Sequence, residues 1–254
     1  PPMPDARFRT RTDEGGWFHM EGLPSEPSFL LVEHPGWMTE LDGPFDVPPG
    51  GGGPARWIEL RAGAAISGRL LDAEGRPLAG EKVELVPIEP SSFASGSRQS
   101  GTDAEGRFRF EHLPAGLYLL CHRVEVGGFP GNALSLGVRL EEGERREVDL
   151  APAGSGRLEG ILEADGEVPA GISVNLNRPP VATGDAQARE RALSGTRSMY
   201  SLDGRFTFSG LEAGDYVLSA MHRDLATRET WIGSAKVTVS EGRSNFVRLR
   251  LEKR

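Results

Sequence analysis

Cysteine is nearly absent: Cys121 is the only one in 254 residues. No disulfide can form within the chain, and a thiolate zinc cluster lacks its ligands. In the run Leu119-Leu120-Cys121 the thiol is expected to behave as a small buried hydrophobe. Lysine is scarce too, with Lys82, Lys236 and Lys253 alone among 29 basic residues; we read this bias as ancestry in a GC-rich genome. No hydrophobic block reaches the ~18 residues that a membrane-spanning helix needs, so no transmembrane segment is expected. Positive charge is also in deficit. A formal net charge of −8 gives no attraction to phosphate backbones or anionic lipids, so nucleic acid is not an expected partner. Residues Pro1 to Asp5 hold no apolar signal core and no lipid-attachment cysteine, so an export signal is expected to lie upstream or to have been removed.

Glycine and proline are what the chain has in excess. With 34 Gly and 19 Pro they make up about a fifth of the residues, against a usual combined ~12 %. Turns must therefore be frequent and long helices scarce.

An internal repeat organises these turns. Thr12-Asp13-Glu14-Gly15-Gly16-Trp17-Phe18-His19-Met20-Glu21-Gly22-Leu23-Pro24 aligns without gaps on Thr102 to Pro114, and such repeats take precedence over local readings. A third copy runs from Asp203-Gly204-Arg205-Phe206-Thr207-Phe208 to Tyr216. Each places an acidic or Gly-rich turn before an aromatic-x-aromatic (or aromatic-x-Met) segment, whose period-two alternation predicts a half-buried antiparallel strand. Leu-Pro-Ala-Gly or Leu-Glu-Ala-Gly then makes a corner before a second strand that opens on Tyr118 or Tyr216. Opening strands also match, with Gly68 in Ile66 to Leu71 corresponding to Gly160 in Leu158 to Leu162. About seven short strands in some 90 residues predict an all-β fold of tandem Ig-like antiparallel β-sandwiches joined by short Gly/Pro-rich linkers.

The segments Ile66 to Gly80, with Pro77-Leu78-Ala79-Gly80, and Thr102 to Tyr118 resemble the carboxypeptidase regulatory-like (transthyretin-like, CNA-B-like) superfamily. The resemblance covers residues 63–152 well and 153–254 acceptably, the latter departing with Ser201-Leu202 for Thr-Asp and Glu212 for Pro. It implies a rigid prealbumin-like module without chemistry of its own, often an appendage of secreted peptidases, outer-membrane receptors or long surface proteins. Fold analogy does not fix function. The expected units are 1–62, 63–152 and 153–254. The first has too few residues before its repeat for two opening strands, so the natural protein is expected to begin further upstream.

Sequence places no catalytic set. Five histidines, His19, His34, His112, His122 and His222, show no His-x-x-x-His or His-Glu-x-x-His spacing, so no catalytic or metal residue is nominated. Ala153-Gly154-Ser155-Gly156 lacks the nucleophile-elbow spacing and reads as a linker. Gly50 to Gly53 lacks the lysine and helix of a phosphate loop and reads as a flexible loop. No cofactor is expected. Acidic turns such as Asp72 to Gly75, Asp103 to Gly106 and Ala164 to Glu167 offer carboxylates that calcium would accept, against ordinary turns with Gly at positive φ. Tyr118 and Tyr216 read as corner tyrosines whose hydroxyls tie back to the backbone.

Trp37, Trp57 and Trp231 lie outside the repeated strands. They are the candidates for stacking on a sugar ring or partner side chain, with packing as the alternative. Long connections at Pro87 to Gly101 and Arg178 to Tyr200 are candidate binding loops, the second holding a helix-prone Asp185 to Leu193. Together these features suggest a non-catalytic structural or interaction segment of a larger exported bacterial protein, extracellular, periplasmic or in the envelope. It is expected to be a monomer within a longer chain, its partner a protein or a surface glycan. The rivals are a carbohydrate-binding module and, more distantly, an enzyme whose site is assembled across units.

Overall fold

The computed structural model of the chain describes residues 8–48, 53, 55–89, 96–179, 185–225 and 227–254. The fold is all-β, and its strands form where the sequence alternates. In β6 (Arg107–Leu113) Phe108 and Phe110 are buried while Arg107 and Arg109 face solvent. The strand β13 (Arg205–Leu211) repeats this with Phe206 and Phe208. The turn before β6 is closed by Asp103, whose Oδ1 accepts from the amides of Glu105 and Arg107 at 3.0 and 2.7 Å. Gly106 completes that turn at φ +73°, a conformation Gly adopts without steric cost.

The strand β3 (Ala64–Arg69) lies between β6, antiparallel, and β9 (Arg145–Glu147), parallel. In the same way β10 (Gly156–Glu163) lies between β13 and β16 (Ser244–Arg250). Gly68 faces Phe108 and Gly160 faces Phe206. Both glycines are required by space: a Cβ on Gly68 would overlap the Val148 carbonyl, and one on Gly160 would lie 2.5 Å from the Val247 carbonyl oxygen. The matching glycines of the sequence thus mark where the parallel neighbour in each small sheet lies close beside the opening strand.

Against these two small sheets lies one large one. Its strands β4 (Lys82–Pro87), β5 (Arg98–Gly101), β7 (Gly116–Val126) and β8 (Phe129–Leu140) come from the first half. From the second come β11 (Ile172–Asn177), β12 (Arg197–Ser201), β14 (Gly214–Arg223), β15 (Thr230–Val239) and β17 (Glu252–Lys253). The nine run in the order β17-β15-β14-β11-β12-β8-β7-β4-β5, and β8 meets β12 antiparallel with Asn132 opposite Ser198.

Two cores result. Ile66, Leu70, Phe108, Phe110, Tyr118 and Leu120 anchor one; Leu158, Ile172, Phe206, Phe208, Tyr216 and Leu218 anchor the other. Burying each such side chain contributes about 1.5–3 kcal/mol. The Tyr118 hydroxyl donates to the Pro114 carbonyl at 2.7 Å and Tyr216 to that of Glu212 at 2.9 Å, as expected of corner tyrosines.

Residues before 63 differ from expectation. Asp13 builds the repeat's turn, accepting from the amides of Gly15 and Trp17 at 2.9 Å each, yet no strand follows over residues 17–20. In the other copies the aromatic strand is held by the glycine-bearing strand, and among the described residues nothing pairs with 17–20. What forms instead is a two-stranded antiparallel sheet of β1 (Ser28–Val32) and β2 (Glu40–Phe45). The glycine run at Gly50 to Gly53 lies, apart from Gly53, outside the described residues.

Candidate functional site

The three nominated tryptophans sit in different surroundings. Trp57 is 92 % exposed. Its neighbour Arg56 grips Asp42 through two hydrogen bonds of 2.5 and 2.9 Å and lies over the Phe45 ring at 4.9 Å. The exposed indole is therefore carried on chain that is tied to β2. Trp37 is 41 % exposed and follows a turn closed by its amide on the His34 carbonyl. Trp231 packs on the second core, with Lys253 over its face at 5.4 Å and His222 beside it at 5.7 Å. This indole is half-buried. Trp17, which matches the solvent-facing Arg107 of the repeat, is 69 % exposed.

Two of the acidic turns spend an aspartate locally, while Asp165 of the third pairs with the distant Arg250 at 2.8 Å. Asp72 Oδ1 accepts from the amides of Glu74 and Arg76, and its Oδ2 from the Arg76 guanidinium at 2.8 Å. These donors hold the Asp72 carboxyl below its usual range. The same self-capping turn recurs at Asp13, Asp103 and Asp203. Among the described residues no three His, Cys, Asp or Glu side chains gather as metal ligands. His122, for which the sequence pointed to no acid, is buried and bonded to Glu81 at 3.0 Å, across the β4–β7 pairing. Burial pushes the Cys121 thiol up to about 12, which leaves it un-ionised and unreactive near neutrality.

The most constructed region is the seam between the two cores, which the sequence did not reveal. Here α1 (Ala186–Leu193), capped by Asp185, and β12 lie on β8. Ser135 Oγ bonds the carbonyls of Leu193 and Thr196 at 3.2 and 2.5 Å. The Gly195 amide donates to the Ser135 carbonyl at 3.0 Å, and the Gly137 amide to Ser194 Oγ at 3.0 Å. Glu89 Oε1 accepts from Arg139 of β8 and Arg189 of α1 at 2.8 and 3.4 Å. The Arg139 contact holds the Glu89 carboxyl below its ordinary range. Phe129 stacks on Tyr200 with centroids 4.8 Å apart.

No family model matches the chain, and no curated protein matches it. Among solved structures, a minor pilin of Streptococcus agalactiae is 18 % identical, with 75 % of this chain and 96 % of that one covered, at a TM-score of 0.32. A streptococcal ancillary pilin is 14 % identical, with 92 % and 77 % covered, at 0.29. The shaft pilin SpaA of Lactobacillus rhamnosus GG is 10 % identical, with 75 % and 98 % covered, at 0.26. Likeness at this level carries no argument about what the chain does.

The seam also holds a partly open cavity of about 60 Å³ lined by Ser135, Asp149, Arg178, Gly195, Arg197 and Tyr216 among others. Arg178 lies over the Tyr216 ring at 4.8 Å and pairs with Glu212. Arg197, the first residue of β12, is 2 % exposed, and burial draws its guanidinium down to about 10. No helix of the described residues is long and apolar enough to cross a membrane.

Proposed function

We propose that this chain is a non-catalytic structural and interaction segment of a larger exported bacterial protein, spacing or presenting other domains at the cell envelope. In this reading residues 63–152 and 153–254 are two carboxypeptidase-regulatory-like sandwiches and 1–62 belongs to a preceding unit. What supports it is the seam: a sheet that continues from β8 into β12, with side-chain bonds across it, removes the freedom that a bare linker would leave. A spacer needs that stiffness; a catalyst does not. The test is the distance distribution between spin labels on Glu74→Cys and Glu241→Cys, in a Cys121→Ala background. A single narrow population supports the spacer, and a broad one overturns it.

Glycan binding is the second reading, favoured by Trp57, whose indole is almost wholly free on anchored chain. Base or sugar stacking on an exposed ring favours such flat, solvent-facing indoles. Trp37 and Trp231 are the companion candidates, the latter with Lys253 over its ring. Calorimetric titration over a polysaccharide panel, repeated with Trp57→Ala, decides it: heat lost in the variant supports binding, and flat isotherms for the native chain remove it.

A further inference from the structure

Arg197 brings a positive charge into the seam with no counter-charge. Its Nη1 donates to the Thr196 carbonyl at 3.2 Å, and its buried Nε has no partner. Among the described residues no carboxylate pairs with it. The two acids that line the cavity are engaged elsewhere: Asp149 by Arg69 at 2.8 Å, and Glu212 by Arg178. A guanidinium buried without a hydrogen-bonded anion is strongly unfavourable. Closed off from solvent, the Nε leaves this guanidinium short of the acceptors that a charge-assisted bond from a carboxylate would supply.

We propose that the seam cavity binds a small carboxylate or similarly planar oxyanion, of the size of formate, acetate or bicarbonate, beside the Arg197 guanidinium. Size sets the class. At about 60 Å³ the space suits an anion of a few heavy atoms, taking about 15 Å³ for each water-sized group. Arg178, Ser135 and the Tyr216 ring complete the lining. Because Ser135 belongs to β8 and Arg197 to β12, an anion between them joins the two halves of the large sheet and stabilises their seam.

The test is denaturant unfolding of the whole chain with sodium acetate titrated at constant ionic strength against sodium fluoride. Saturable stabilisation is expected, the folded-to-unfolded ratio rising about eleven-fold at ten times the dissociation constant, and lost in Arg197→Met. A non-saturating response, equal in both proteins, overturns the site. Should Arg197→Met fail to fold, bromoacetate soaked into crystals of the native chain decides. An anomalous peak beside the Arg197 guanidinium upholds the proposal, and water alone there refutes it.

Discussion

Gly137 of β8 lies against Glu190 of α1 so closely that a Cβ on the glycine would overlap the Glu190 carbonyl. This contact, with that of Gly131, whose Cβ would stand 2.6 Å from the Ser198 carbonyl oxygen, is how strands from the two halves of the chain come to share one sheet. Small residues at both places let backbones meet where side chains would hold them apart.

Gly137→Val is therefore expected to open the seam without dissolving either core. Forcing a branched side chain into packed backbone costs about 1–3 kcal/mol. Urea unfolding followed separately by tyrosine and tryptophan signals should change from one transition to two. A single unshifted transition would show that the halves are not coupled through this contact.

Gly68→Ala and Gly160→Ala are expected to cost more, since the obstruction is backbone within each small sheet. A loss of roughly 3 kcal/mol or greater is anticipated for each, at the severe end of point substitutions. Gly75→Ala is the control. At φ +76° with nothing near its Cβ, it should lose only about 1 kcal/mol.

Tyr216→Phe removes the donor to the Glu212 carbonyl and leaves the ring in place. An unsatisfied buried acceptor costs about 1–3 kcal/mol. Tyr118→Phe should do likewise at Pro114. Chemical denaturation midpoints would read both, and unchanged midpoints would deny the corner its role.

The pH dependence follows from Glu89, whose folded-state carboxyl is held down by Arg139. A depressed carboxylate contributes stability that is present above its unfolded value, ~4.3, and lost as pH falls through the folded one. Stability should decline below about pH 4.3, and Glu89→Gln should flatten that part of the decline while lowering stability at pH 7. An unaltered pH profile in the variant would remove Glu89 from the account.

Cys121, with its thiol at about 12 and its side chain buried, should resist a thiol reagent at pH 8 until the chain is unfolded. Rapid labelling of the native protein would contradict the packing.

Much of the architecture could be read from short-range pattern. Phe108 and Phe110 announce a strand by alternation, Asp103 and Gly106 announce its turn, Tyr118 follows its corner, and Asp185 to Leu193 proved a capped helix beginning at Ala186. The same pattern misled at Trp17 and Phe18. A strand needs a neighbour to take its hydrogen bonds, and no described strand pairs there. The seam left only faint marks, Gly131 and Gly137 inside a strand, where isolated glycines signal a close backbone.

By itself the sequence determined the all-β class, the repeated turn–strand–corner unit and the inert buried cysteine, because turn chemistry and period-two burial act over a few residues. Tertiary structure alone decided that β8 and β12 join, that Trp231 is half-buried while Trp57 is exposed, and that Arg197 lies buried without a carboxylate partner among the described residues. Those outcomes depend on which distant segments meet, and Ser135 and Arg197 are 62 positions apart along the chain before the fold sets them around one cavity.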